Sequence, residues 1–131
     1  MKRSRAAGPV CPCGGGSYRD CCQPFVEGDE IAPTAEALMR SRYCAFALGE
    51  ADYLLATWHP RTRPSRVRLD PAQKWIGLSI KATEAGGEGD TAGVVEFVAR
   101  FKTAGTGHRL HERSRFENID GRWYYLDGDH L

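Results

Sequence analysis

Apolar positions along this chain change period once, near the middle. In TAEALMRSRYCAFALG, Thr34 to Gly49, residues Ala35, Leu38, Met39, Ala45 and Phe46 recur at three- and four-residue intervals, the spacing of one helix face. Thr34 is placed to cap that helix, Glu36 sits in its first turn, and Gly49 ends it. A second short helix, ADYLLATWH, follows at once and is expected to stop at His59, because the residue before Pro60 is pushed out of helical backbone. After residue 74 the period becomes two. Trp75 to Thr83 separates Ile76, Leu78 and Ile80 from Gly77, Ser79 and Lys81, AGGEGD reads as a turn, and Val94 to Phe101 is rich in strand formers. His108 to Ile119 and Arg122 to Leu126 flank Asp120-Gly121, a strong short-range hairpin signal. Two helices followed by about four antiparallel strands predict an α+β domain whose helices cover the apolar face of the sheet.

Two charges interrupt the apolar stripes. Arg42 lies within the helix stripe, and on the strand after residue 108 Glu112 shares a face with Leu110, Ser114 and Phe116, opposite His111, Arg113 and Arg115. Each is the lone charge on an apolar face, so Arg42 and Glu112 are expected to form a buried ion pair. Losing one partner of such a pair costs roughly 3 to 5 kcal/mol. Tyr43, Tyr53, Trp58, His59, Trp75 and Glu112 are the residues an enclosed pocket in such a domain would gather. A carboxylate and a histidine among aromatic rings can move a proton. Each also has a plainer reading, as core, helix cap or ion partner.

The first part of the chain obeys a different rule. Four of the five cysteines, Cys11, Cys13, Cys21 and Cys22, fall within CPCGGGSYRDCC, interrupted by Gly14-Gly15-Gly16. A segment this small cannot bury enough apolar area to fold unaided, and glycines allow the backbone angles that bring short side chains together. Close cysteine pairs in a reducing compartment favour metal over disulfide, and four thiolates would close a structural Zn2+ site with no open position. Cys44 lies off the helix stripe with no motif around it and reads as a small buried hydrophobe. Residues 1–10 are polar and basic and read as a mobile arm, 11–24 as the knuckle, 25–33 as a linker and 34–131 as the α+β domain.

Length and charge narrow the functional classes. With 131 residues and net charge +1, one domain plus a small appendage is expected. No apolar run approaches the length of a membrane span or a secretory core, so the expectation is a cytoplasmic protein without membrane insertion. Arg61, Arg63, Arg66 and Arg68 make a basic loop able to meet phosphate. A nucleic-acid or phosphate partner is nonetheless not favoured, since the cluster lacks interleaved aromatic residues and local acids such as Asp70 can pair with it.

CPCGGGSYRDCC resembles the SEC-C motif, a cysteine-rich zinc knuckle, with one residue fewer in the glycine turn than the usual pattern. LMRSRYCAFALGEADYLLATWHPRTRP, RLDPAQKWIGLSI and HERSRFENIDGRWYYLDGD resemble the YchJ-like family across nearly the whole chain. That resemblance implies a nuclear transport factor 2-like cone, helices wrapped by a curved antiparallel sheet, behind a zinc knuckle. It implies no reaction, because such cones host both enzymes and binding modules. The expected function is a zinc-binding protein-interaction or ligand-binding module, its partner a protein, a small molecule or a second copy of the chain. The alternative is a small-molecule enzyme of isomerase, dehydratase or hydrolase type working in the cone.

Overall fold

The computed structural model describes residues 9–131. Most of the basic arm expected over residues 1–10 therefore lies outside the described residues. A 3-10 turn, Tyr18–Asp20, is followed by α1 (Gln23–Val26), α2 (Ala35–Leu48) and α3 (Ala51–Ala56). Strands β1 (Gln73–Ala85), β2 (Ala92–Thr103), β3 (Thr106–Ile119) and β4 (Arg122–His130) complete the chain. The strands form one antiparallel sheet in the order β1-β2-β3-β4.

Local chemistry sets the ends of α2. The Ala37 N–H donates to Thr34 Oγ1 at 3.0 Å, and Gly49 closes the helix in left-handed backbone at φ 78°. The helix is buried on more than one side. Met39, Arg42, Tyr43 and Phe46 face a cavity against the sheet, while Arg40 and Cys44 meet the cysteine-rich segment. Its amino-terminal end sits on the β1–β2 hairpin, where the Ala35 N–H donates to Gly86 O at 2.9 Å. That approach needs Gly86 and Gly93. A Cβ on Gly93 would lie 2.5 Å from Gly86 Cα and 3.2 Å from Ala35 Cβ.

The second helix ends three residues earlier than its sequence suggests. The His59 N–H donates to Tyr125 O at 2.7 Å and the Tyr125 N–H to Thr57 O at 2.9 Å, so this segment pairs alongside β4 instead of continuing the helix. The pairing also covers an edge that would otherwise be open. In β1 the expected alternation is shifted by a bulge between Trp75 and Gly77. Trp75 therefore joins Leu78 and Ile80 against the core, and Ile76 is left exposed. An extra residue in a strand inverts the facing of what precedes it.

Residues 25–33, read as a linker, are partly built into the fold. Phe25 and Val26 pack against the core and Ala32 is buried. One cluster of buried residues runs from Cys11, Cys13 and Cys22 through Leu38 and Cys44 to Val95, Phe116 and Trp123. The cysteine-rich segment is thus continuous with the core of the α+β domain. The outer face of the sheet is polar instead, with Arg113 pairing with Glu84 and Glu96, and Arg115 with Asp127 and Asp129. Among the described residues no helix is long and apolar enough to cross a membrane.

Candidate metal centre and adjoining cavity

The cysteine-rich segment folds back on itself before it meets α2. The Cys11 N–H donates to Gly16 O, the Gly14 N–H to Cys11 O at 2.9 Å and the Tyr18 N–H to Pro9 O at 3.0 Å. Gly14 and Gly16 take φ values of 87° and 114°, and a Cβ on Gly15 would lie 2.7 Å from Cys21 Sγ. The glycine run is therefore what lets the two cysteine pairs converge. Arg40 on α2 donates from Nη1 to Cys13 O at 3.1 Å, holding the loop against the helix.

Four sulfurs come together at this junction, one of them from α2. The Sγ atoms of Cys11, Cys13, Cys22 and Cys44 all lie within 4.8 Å of one another, and all four residues are buried. Individual separations are 3.3 Å for Cys11–Cys44, 3.5 Å for Cys11–Cys13 and 3.7 Å for Cys13–Cys22. Zinc–sulfur bonds near 2.3 Å in a tetrahedron place sulfurs about 3.8 Å apart, so the donor set suits such an ion. Cys21 is the less buried neighbour, 3.5 Å from Cys13 Sγ and 3.8 Å from Cys22 Sγ. No disulfide joins any of the five. Hydrogen bonding from Cys22 holds Cys13 far below the ordinary thiol range, while the same bond drives Cys22 upward and burial pushes Cys21 up to about 12. Packed this closely, the sulfurs would lose their protons together only on meeting a cation that neutralises the thiolates.

Sequence reasoning did not place Cys44 beside the knuckle sulfurs, because no local motif marks it and its place off the apolar stripe of α2 suggested packing alone. The signal available was the stripe itself. A cysteine on the face turned away from the sheet, two residues from Arg42, needs something else to bury it, and the knuckle supplies that cover.

A cavity of about 200 Å³ lies between α2 and the sheet. Tyr43, Trp58, Trp75 and Glu112 line it, as the sequence suggested, but Tyr53 and His59 do not. Tyr53 borders a separate cleft beside α1 and shares a hydrogen bond of 2.7 Å with Ser41 Oγ. His59 is pulled to the β4 edge. Its Nδ1 accepts the Arg61 N–H at 3.0 Å, which leaves the ring proton on Nε2, 2.8 Å from Glu117 Oε1.

The ion pair expected between Arg42 and Glu112 is not formed. Arg42 donates from Nη1 to Leu54 O at 2.8 Å and to Thr57 Oγ1 at 2.6 Å, and its guanidinium lies 5.1 Å and 4.8 Å from the ring centres of Trp58 and Tyr125. Burial lowers its pKa to about 10, which leaves it charged at neutral pH. Glu112 instead accepts from Ser114 Oγ at 2.5 Å and Tyr125 OH at 3.2 Å, with His130 Nε2 at 3.1 Å. A backbone carbonyl, a hydroxyl and two ring faces hold Arg42 in place and two hydroxyls hold Glu112, so the position of neither depends on the other.

The basic loop is less of a unit than its sequence suggests. Arg63, also exposed, folds back to donate to Trp58 O at 2.9 Å and 2.7 Å, and Asp70 caps the Ala72 N–H instead of pairing with an arginine. Arg61, Arg66 and Arg68 are exposed.

A cysteine-rich knuckle docked on an α+β domain defines the class, a SEC-C-type segment joined to a nuclear transport factor 2-like fold. The family model described as "YchJ, middle NTF2-like domain" matches residues 34–128, and the chain belongs to the YchJ-like family. Relatives called UPF0225 proteins include one from Chromobacterium violaceum, 57% identical over 98% of each chain. Another, from Streptomyces coelicolor, is 56% identical over 94% of this chain and 97% of its own. The solution structure of a SEC-C motif containing protein from Rhodopseudomonas palustris is similar at 35% identity and a TM-score of 0.81, covering 94% of this chain and 99% of that one. A crystal structure of a SEC-C motif containing protein from Psychrobacter arcticus, 32% identical, gives a TM-score of 0.77 over 92% of this chain and 82% of that one.

Proposed function

We propose that this chain is a zinc-stapled binding module, in which Cys11, Cys13, Cys22 and Cys44 hold one Zn2+ and the α+β domain presents its cavity to a small-molecule ligand. The observation that carries the metal reading is the convergence of four buried sulfurs within 4.8 Å, three from the knuckle and one from α2. Zinc suits an all-thiolate, four-ligand donor set that is closed to water, and its role there is structural. Cys44 takes the place that sequence spacing assigned to Cys21, and with it the metal becomes a clamp between knuckle and helix. The reducing cytoplasm is the compartment in which such thiolates stay available.

Metal analysis of the Cys21→Ser and Cys44→Ser variants tests the ligand set, with Co2+ substitution reporting thiolate coordination through its absorption. About one zinc per chain in wild type and in Cys21→Ser, with metal lost or weakened at least tenfold in Cys44→Ser, is the expected result. Retention of metal by Cys44→Ser and loss by Cys21→Ser would return the site to the four knuckle cysteines. Wild-type protein prepared under reducing conditions without metal would remove the proposal altogether.

One observation favours a second reading, chemistry in the cavity. Glu112 is the one carboxylate lining it, and it faces the same space as Arg42. With His59 elsewhere, Glu112 alone would serve as base, and turnover would have to vanish in Glu112→Gln while ligand binding survived.

A further inference from the structure

The cavity between α2 and the sheet has more hydrogen-bond donors than acceptors to meet them. Arg42 commits only Nη1 of its guanidinium, and among the described residues Nε and Nη2 donate no hydrogen bond and no carboxylate pairs with the charge. The Trp58 Nε1 on the same wall is closed to solvent, whereas those two Arg42 nitrogens are not, so they are the donors that face the open space. Leaving such a donor unmet costs free energy, which makes each exception informative. The acceptor side is different. Glu112 already receives Ser114, Tyr125 and His130, so it has little need of a donor from a ligand. What is spare in this cavity is the Nε and Nη2 edge of a guanidinium.

The rest of the lining is apolar and largely aromatic. Trp75 packs against Tyr43, Phe46 and Phe101 with ring centres 5.8, 5.9 and 5.0 Å apart, and Met39 and Leu110 close the walls. A cavity near 150 Å³ holds a benzene ring, so about 200 Å³ admits a ring with one small substituent.

We propose that this cavity binds a compact aromatic carboxylate, its ring among Tyr43, Phe46 and Trp75 and its carboxylate on the Nε and Nη2 edge of Arg42. The inference rests on reading the α+β domain as a ligand-binding module and names the ligand class. A carboxylate gives the guanidinium the charge-assisted hydrogen bonds it lacks within the protein, whereas a neutral group of the same shape replaces them only in part. The ligand enters a site whose donors are already held in place, which limits the ordering cost of binding.

The test is calorimetric titration of the full chain, metal content verified, with benzoate, benzamide and toluene in parallel, followed by the same titrations of Arg42→Lys, its folding verified by a melting curve. That substitution keeps the charge while deleting the planar fork. Benzoate is expected to bind with Kd of about 1 mM or tighter, and benzamide at least about tenfold more weakly. Arg42→Lys is expected to weaken benzoate about tenfold and to leave toluene unchanged. Benzoate binding no tighter than benzamide to the wild-type chain, or unchanged in a folded Arg42→Lys, overturns the carboxylate assignment. Saturable toluene binding beside such a result keeps the ligand-binding reading, while no saturable binding of any of the three by about 10 mM removes both.

Discussion

Cys44 and Arg42 sit two residues apart on α2, and the turn between them separates the two sites of this protein. Cys44 reaches the knuckle sulfurs at 3.3 Å from Cys11, while Arg42 reaches the cavity on the other side. Arg42 was expected to pair with Glu112 and does not, and Cys44, read as a small buried hydrophobe, is buried against the knuckle sulfurs. Burial of a residue says nothing about which neighbour buries it. The revised environment of Arg42 changes the expected energetics. Because Arg42 and Glu112 each bond to other groups and not to one another, a double-mutant cycle through Arg42→Met and Glu112→Gln, read by urea denaturation, should give a coupling below about 1 kcal/mol. A contact ion pair would give several times that. Gly128 has a related role, since a Cβ there would fall 2.8 Å from Glu112 Cδ, so the glycine opens the space in which Glu112 turns toward Ser114 and Tyr125.

At the scale of elements, α2 is the part on which the others are hung. Its capped ends fix its length, and its buried faces meet the sheet, the knuckle and α3. The seat of its first turn on the β1–β2 hairpin depends on backbone-to-backbone approach between Gly86 and Gly93, with Ala35 directly above. Gly93→Ala has no flexible side chain to displace and must move main chain, so it is expected to destabilise the protein by about 3 kcal/mol or more, measured by chemical denaturation. The aligned pairing of Thr57 and His59 with Tyr125 explains the short α3 in the same terms. Two backbone hydrogen bonds to an otherwise open strand edge outweigh one further helical turn ahead of a proline.

Across the whole molecule, knuckle and α+β domain share one buried cluster, and this alters what metal removal should do. A free-standing knuckle would melt alone and leave the second domain unchanged. Here the thiols abut α2, so chelation is expected to lower the melting temperature of the entire chain by more than about 10 °C. Hydrogen exchange should show lost protection along α2 as well as in residues 11–24. Loss confined to residues 11–24, with the main transition unmoved, would show that Cys44 does not couple the two parts. The polar outer face of the sheet, with its arginine–carboxylate pairs, has no part in this coupling and should respond to salt instead.

The α+β architecture, the ends of α2, the β3–β4 turn at Asp120-Gly121 and the cysteine clustering of the knuckle were determined by sequence alone. Each depends on residues a few positions apart: a cap and its N–H, an alternating run and its turn, two cysteine pairs around glycines. Tertiary structure alone decided the rest. It brought Cys44 to Cys11 across thirty-three positions, kept Arg42 and Glu112 apart, sent His59 to Glu117, and left one edge of the Arg42 guanidinium facing a cavity. These outcomes depend on the seating of α2 between knuckle and sheet and on a one-residue bulge in β1. Small displacements of packed elements change which side chains meet, and no periodicity along the chain encodes them.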